Sequence, residues 1–65
     1  MDMTTKDLTE ISELLDGENL AYTKCVSYAC MVSDPNLKDQ LGKFANAHKA
    51  RYSKLLTYLV AAKPQ

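Results

Sequence analysis

Two long stretches of the chain repeat apolar residues in alternating steps of three and four. In the first, Leu8, Ile11, Leu15, Glu18, Tyr22, Cys25, Ala29 and Val32 share one stripe, widened by Leu14, Ala21 and Tyr28. That period is the one an α-helix needs to turn a continuous apolar face toward a partner. Thr4, followed three residues later by Asp7, supplies a capping box, so the pattern predicts a first helix over about residues 5–32. In the second stretch the stripe runs Leu37, Leu41, Phe44 with Ala45, His48, Tyr52 with Arg51, Leu55, Tyr58 with Leu59, and Ala62. It predicts a second helix over about 35–62, ending before Pro64. Between them, Ser33 or Asp34 can accept the free amides of the new helix, and Pro35 suits its first turn, where a missing N–H is harmless. The chain is expected to be a single all-α domain over residues 1–65, an antiparallel helical hairpin with its turn at 33–35.

Residues at the same level of an antiparallel hairpin have numbers adding to a constant, and a value near 66 matches apolar to apolar repeatedly. Leu41 then meets Cys25, Phe44 meets Tyr22, Leu55 meets Ile11 and Leu37 meets Ala29. The same register sets Glu18 against His48, Glu13 near Lys54, and Asp16 near Lys49 or Arg51. Glu18 and His48 stand out because each is the polar member of an otherwise apolar stripe. Gly17, about 1 kcal/mol worse than alanine inside a helix, marks a slight bend, a close helix approach, or plain tolerance.

Length changes the picture next. A 65-residue chain buries too small a fraction of its surface to be comfortable alone. Disulfides do not relieve this, since Cys25 and Cys30 lie five residues apart on one predicted helix and point in different directions. Cys25 reads as a small core residue, and Cys30 lies off the stripe. Self-association is the expected remedy. Two hairpins packed face to face about a twofold axis would close a four-helix bundle, with Leu8, Ile11, Leu15, Cys25, Ala29, Leu41, Phe44, Leu55 and Leu59 as its core and dimer contacts. Such a homodimer would bring two Glu18 and two His48 into one central layer.

The net charge is zero, which argues against nucleic acid or anionic membrane as partner. The distribution is uneven: residues 1–23 carry six acids against Lys6, and the remainder carries the compensating excess of base, so the halves should attract. No apolar run reaches the roughly 20 residues of a membrane span, and the start of the chain lacks the basic, hydrophobic pattern of a signal peptide. A soluble, reducing, intracellular setting is the expectation. There is no phosphate-binding glycine loop, no nucleophile with a base and orienter, and no Cys-x-x-Cys pair, so catalytic residues are not expected.

A Glu facing a His, doubled by symmetry, resembles the polar centre of ferritin-like and rubrerythrin-like bundles, of which the chain looks like one half. The stretches "ELLDGENLAYTKCVSYACMVSDPNLKDQL" and "ANAHKARYSKLLTYL" are similar, more closely, to the two-helix units of the spore coat protein F type. The resemblance implies Glu18 at the first-helix ligand position and His48 at the histidine of Glu-x-x-His. It departs at Ala45, which stands where that motif has its glutamate, so the bridging carboxylates of a dinuclear centre are missing.

Competing readings of the layer follow. Glu18 and His48 can satisfy one another structurally, with Tyr22 and Tyr52 adding hydrogen bonds, and no cofactor is then required. Alternatively, Glu18 and His48 from both chains hold one divalent metal ion per dimer, or they are partly hydrated without special role. The leading expectation is a structural or interaction protein whose partner is a second copy of itself and, by resemblance, other coat or assembly proteins. A hairpin that accepts foreign partner helices on its stripe is a third reading.

Overall fold

The computed structural model describes residues 3–61. Among them it has two helices, α1 (Thr5–Met31) and α2 (Pro35–Ala61), packed as a hairpin, and no strand. Thr4 starts α1 through a reciprocal capping box. The Asp7 amide donates to Thr4 Oγ1 at 3.0 Å, and the Thr4 amide donates to Asp7 Oδ2 at 3.1 Å, which satisfies two otherwise free donors. Helix α1 closes at Val32, whose extended backbone leaves the helix while its N–H still donates to the Tyr28 carbonyl. The expected end at Val32 thus falls at the cap. Ala62, the expected end of the second helix, lies outside the described residues.

Of the two caps considered for α2, Asp34 does the work. Its Oδ1 accepts from the Asn36 amide at 2.8 Å and the Leu37 amide at 3.4 Å, with Pro35 in the first turn. The turn is also tied back to α1, because Lys38 Nζ donates to the Ala29 carbonyl at 2.6 Å. A cation there meets carbonyls that have no partner within their own helix and the negative end of the helix dipole.

The seam between the helices is narrow. Leu15 (7% exposed) and Ala45 (4%) are the buried residues among those described. Leu8, Ile11, Cys25, Ala29, Leu41, Leu55 and Leu59 are half-buried around them. Phe44 departs from its expected place in this core: it is 55% exposed, and Leu37, expected opposite Ala29, is 46% exposed. The reason is geometric. Helix α2 turns the series Leu41, Ala45, His48, Tyr52, Leu55, Leu59 toward α1, and alanine at the buried point lets the helices approach closely. Phe44, one residue and about 100° earlier, is rotated to the side of that seam.

The expected ion pairs of Glu13 with Lys54 and Asp16 with Lys49 or Arg51 are not formed. The ion pairs among the described residues are Lys6–Glu10, Asp39–Lys43 and those of Glu18. Gly17 has nothing within 4 Å of where a Cβ would stand, so it serves no close approach inside the hairpin.

The total accessible surface is 5081 Å². A compact monomer of this mass would expose about 4,200 Å². Among the described residues, the large apolar side chains Leu14, Leu20, Tyr28, Met31, Leu37, Phe44 and Val60 are each between 46% and 76% exposed.

Candidate functional site

Glu18 and His48 come together at the middle of the hairpin. Each is the central residue of its helix, with thirteen helical residues on either side. His48 Nδ1 lies 2.9 Å from Glu18 Oε2, and the two side chains are 24% and 20% exposed. A third residue joins them. Arg51 Nε donates to Glu18 Oε1 at 3.2 Å and to Oε2 at 3.3 Å, while its Nη2 lies 3.1 Å from His48 Nδ1.

Chemistry assigns the protons. A carboxylate can only accept, so the bond between Glu18 and His48 requires the hydrogen on Nδ1. Nδ1 cannot then also accept from Arg51, whose attachment rests on the two Nε contacts to the carboxylate. Glu18 is held below the ordinary carboxylate range, chiefly by the hydrogen bond from His48, against partial desolvation, with further help from the Arg51 hydrogen bond and charge. An acid on the seam is tolerated here because an imidazole and a guanidinium reach it from the facing helix.

Tyr22 and Tyr52, expected to support the pair, do not hydrogen-bond to it among the described residues. Both are half-buried, and with Asn19 and Lys49 they line an open groove of about 310 Å³. Arg51 takes the supporting role instead. The signal was in the sequence, since Arg51 follows His48 by three residues and so shares its helix face.

Helix periodicity shows what surrounds this cluster. On α1, Leu14, Ala21 and Tyr28 recur every seven residues beside the seam; on α2, Leu37, Phe44, Arg51 and Tyr58 do the same. Both rows precede their seam residues by one position. Because the helices are antiparallel, that offset puts the two rows on the same side of the hairpin, the side from which Arg51 reaches Glu18. Leu14, Tyr28, Leu37, Phe44 and Tyr58 there are 40–55% exposed. The groove of Asn19 and Lys49 lies on the opposite side. The result is one broad apolar face, two helices wide, with Glu18, His48 and Arg51 near its centre.

As a metal site the cluster is poorly matched. The glutamate position of the Glu-x-x-His pattern is Ala45, which is buried in the seam, so the residues present do not fit a dinuclear centre. Among the described residues no third His, Cys, Asp or Glu groups with Glu18 and His48. The Arg51 guanidinium already supplies the carboxylate with a cation. Cys25 is half-buried, Cys30 is exposed, and both are free thiols. No helix among the described residues is long and apolar enough to cross a membrane. Set against known family models, curated proteins and solved structures, the chain matches none of them.

Proposed function

We propose that this chain is a structural assembly module. Its hairpin pairs with a second copy of itself through the face that carries Glu18, His48 and Arg51, closing a four-helix bundle. The observation that supports the reading is the uncovered face itself: five large apolar residues, Leu14, Tyr28, Leu37, Phe44 and Tyr58, stand 40–55% exposed beside a seam that buries just Leu15 and Ala45 among the described residues. A hairpin with so little buried interior needs a covering layer to offset the entropy of ordering its chain.

The size of the face is adequate. A 27-residue helix is about 40 Å long, and two side by side are about 20 Å wide, so each copy would cover roughly 800 Å². Two copies would bury about 1,600 Å² in all, the ordinary size of a stable protein interface. Because Glu18 and His48 are the midpoints of their helices, any twofold packing in full overlap brings both pairs to the same level. The polar layer would then fix the alignment of the copies, as isolated polar positions do in helical bundles. The spore-coat-type context of this proposal rests on the resemblance of the two helical stretches alone.

Coupling of folding to assembly tests the reading. The melting temperature of an obligate dimer rises with protein concentration, whereas that of a folded monomer does not. We expect a concentration-dependent transition. A transition unchanged over a hundredfold dilution would refute self-association.

A second reading, one divalent ion per dimer held by Glu18 and His48 of both chains, draws on their 2.9 Å approach. It requires Arg51 to leave the carboxylate. Elemental analysis of the purified protein decides it: stoichiometric metal that disappears in His48→Ala would establish it, and metal-free folded protein would reject it.

A further inference from the structure

Resting on the self-association just proposed, we infer that the twofold axis runs parallel to the helices, so that α1 of each copy lies against α2 of the other. Face-to-face packing of two hairpins allows two twofold arrangements. An axis along the helices sets α1 against the partner's α2. An axis in the plane of the face but across the helices sets α1 against α1 and α2 against α2. In both, neighbouring helices are antiparallel, so helix dipoles do not choose between them.

Charge chooses. Helix α1 carries five acids, Asp7, Glu10, Glu13, Asp16 and Glu18, against Lys6 and Lys24. Helix α2 carries Lys38, Lys43, Lys49, Arg51 and Lys54 against Asp39. Formal charges, with His48 neutral, are thus minus three and plus four. The axis along the helices alternates acidic and basic rods all round the bundle. The axis across them sets the two net-acidic helices side by side and the two net-basic helices side by side, which opposes association.

The side chains on the face agree. With the axis along the helices, residues of the two copies whose numbers add to about 65 meet. The partner's Phe44 then lies over Ala21, a large ring against a small residue, and the partner's Leu37 lies beside Tyr28. At the rim, seven-residue spacing from Gly17 places Glu10 and Lys24 on α1, and spacing from Ala47 places Gln40 and Lys54 on α2. Glu10 then faces the partner's Lys54, and Gly17, whose Cβ position is open within the hairpin, faces the partner's Ala47. The existing neighbour of Glu10, Lys6 at 4.0 Å, is an exposed contact and leaves the carboxylate available. With the axis across the helices, Glu10 would instead face the partner's Lys24.

Cross-linking separates the two arrangements. In a Cys25→Ala, Cys30→Ser background, chains bearing Glu10→Cys, Lys24→Cys or Lys54→Cys are prepared singly, mixed in pairs, annealed and treated with a short bismaleimide. We expect efficient linkage of the position 10 and position 54 chains, and little of the position 10 and position 24 chains. Stronger linkage between positions 10 and 24 would overturn the inferred axis while leaving self-association standing. Absence of any linkage, in background protein whose mass is that of one chain, would remove self-association and the axis together. To keep a substitution's effect on folding apart from geometry, each variant's helicity and mass are read on the same sample before linking.

Discussion

Glu18 and His48, thirty residues apart in sequence, are joined by a 2.9 Å hydrogen bond at the midpoint of both helices, with Arg51 closing the cluster on the carboxylate. One acid on one helix is thereby served by two residues of the other. The bond ties the two helices together at their midpoints.

The acid dependence of stability follows from this contact. A carboxylate whose folded value is depressed contributes stability that is present above its ordinary value, near 4.5, and is lost as the pH falls through its lower folded value. Thermal melts of the wild type should therefore fall off below about pH 4.5. Glu18→Gln should flatten that part of the profile and lower the melting temperature at pH 7. Superimposable wild-type and variant profiles would show that the cluster contributes nothing to folding.

Phe44 separates the interior of the hairpin from its outer face. A large residue buried in a single hairpin would cost about 3–5 kcal/mol on truncation. At 55% exposure in one copy, Phe44 should matter instead for pairing. Phe44→Ser is expected to leave far-ultraviolet helicity at high concentration nearly intact and to raise the dimer Kd about thirtyfold or more, the loss of a central contact worth about 2 kcal/mol. Sedimentation equilibrium measures this.

Leu15 should behave in the opposite way. It is the buried apolar anchor of α1, so Leu15→Ala is expected to destabilise the fold by about 2–5 kcal/mol, enough to unfold a chain of this size near room temperature. Urea titration followed by circular dichroism gives the value.

The cap and the glycines probe the helices themselves. Thr4→Ala removes the oxygen that accepts from the Asp7 amide and should cost about 1 kcal/mol. Gly42→Ala, at a helical position with no atom within 4 Å of the added carbon, should add about 0.5–1 kcal/mol. Gly17→Ala meets the same open space in one hairpin, and a smaller gain there than at Gly42 is expected because the proposed partner approaches it. Chemical denaturation of the three variants compares them directly.

Much of the fold was legible because period and punctuation agreed. The three-four spacing, the Thr4 and Asp7 box and the Asp34–Pro35 start each point to the same two helices. Glu18 and His48 could be paired because each interrupts an apolar stripe at the same level. Arg51 was harder: long side chains choose among several nearby partners, and the carboxylate nearest the seam prevailed over Asp16. The choice of Ala45 over Phe44 for the seam was hidden because adjacent positions fit a helical stripe almost equally. The distance between the helices, set at the small residue, decides which one turns inward. The tyrosines had the correct spacing, but spacing does not determine where a hydroxyl points.

The most direct measurement is the mass of the folded protein in solution, by light scattering or sedimentation across the micromolar range. A second copy covering the Leu14 and Phe44 face requires twice the 7.3 kDa of one chain, with helicity lost as the complex is diluted apart. A cooperatively folded, fully helical species of 7.3 kDa at all concentrations would contradict the account.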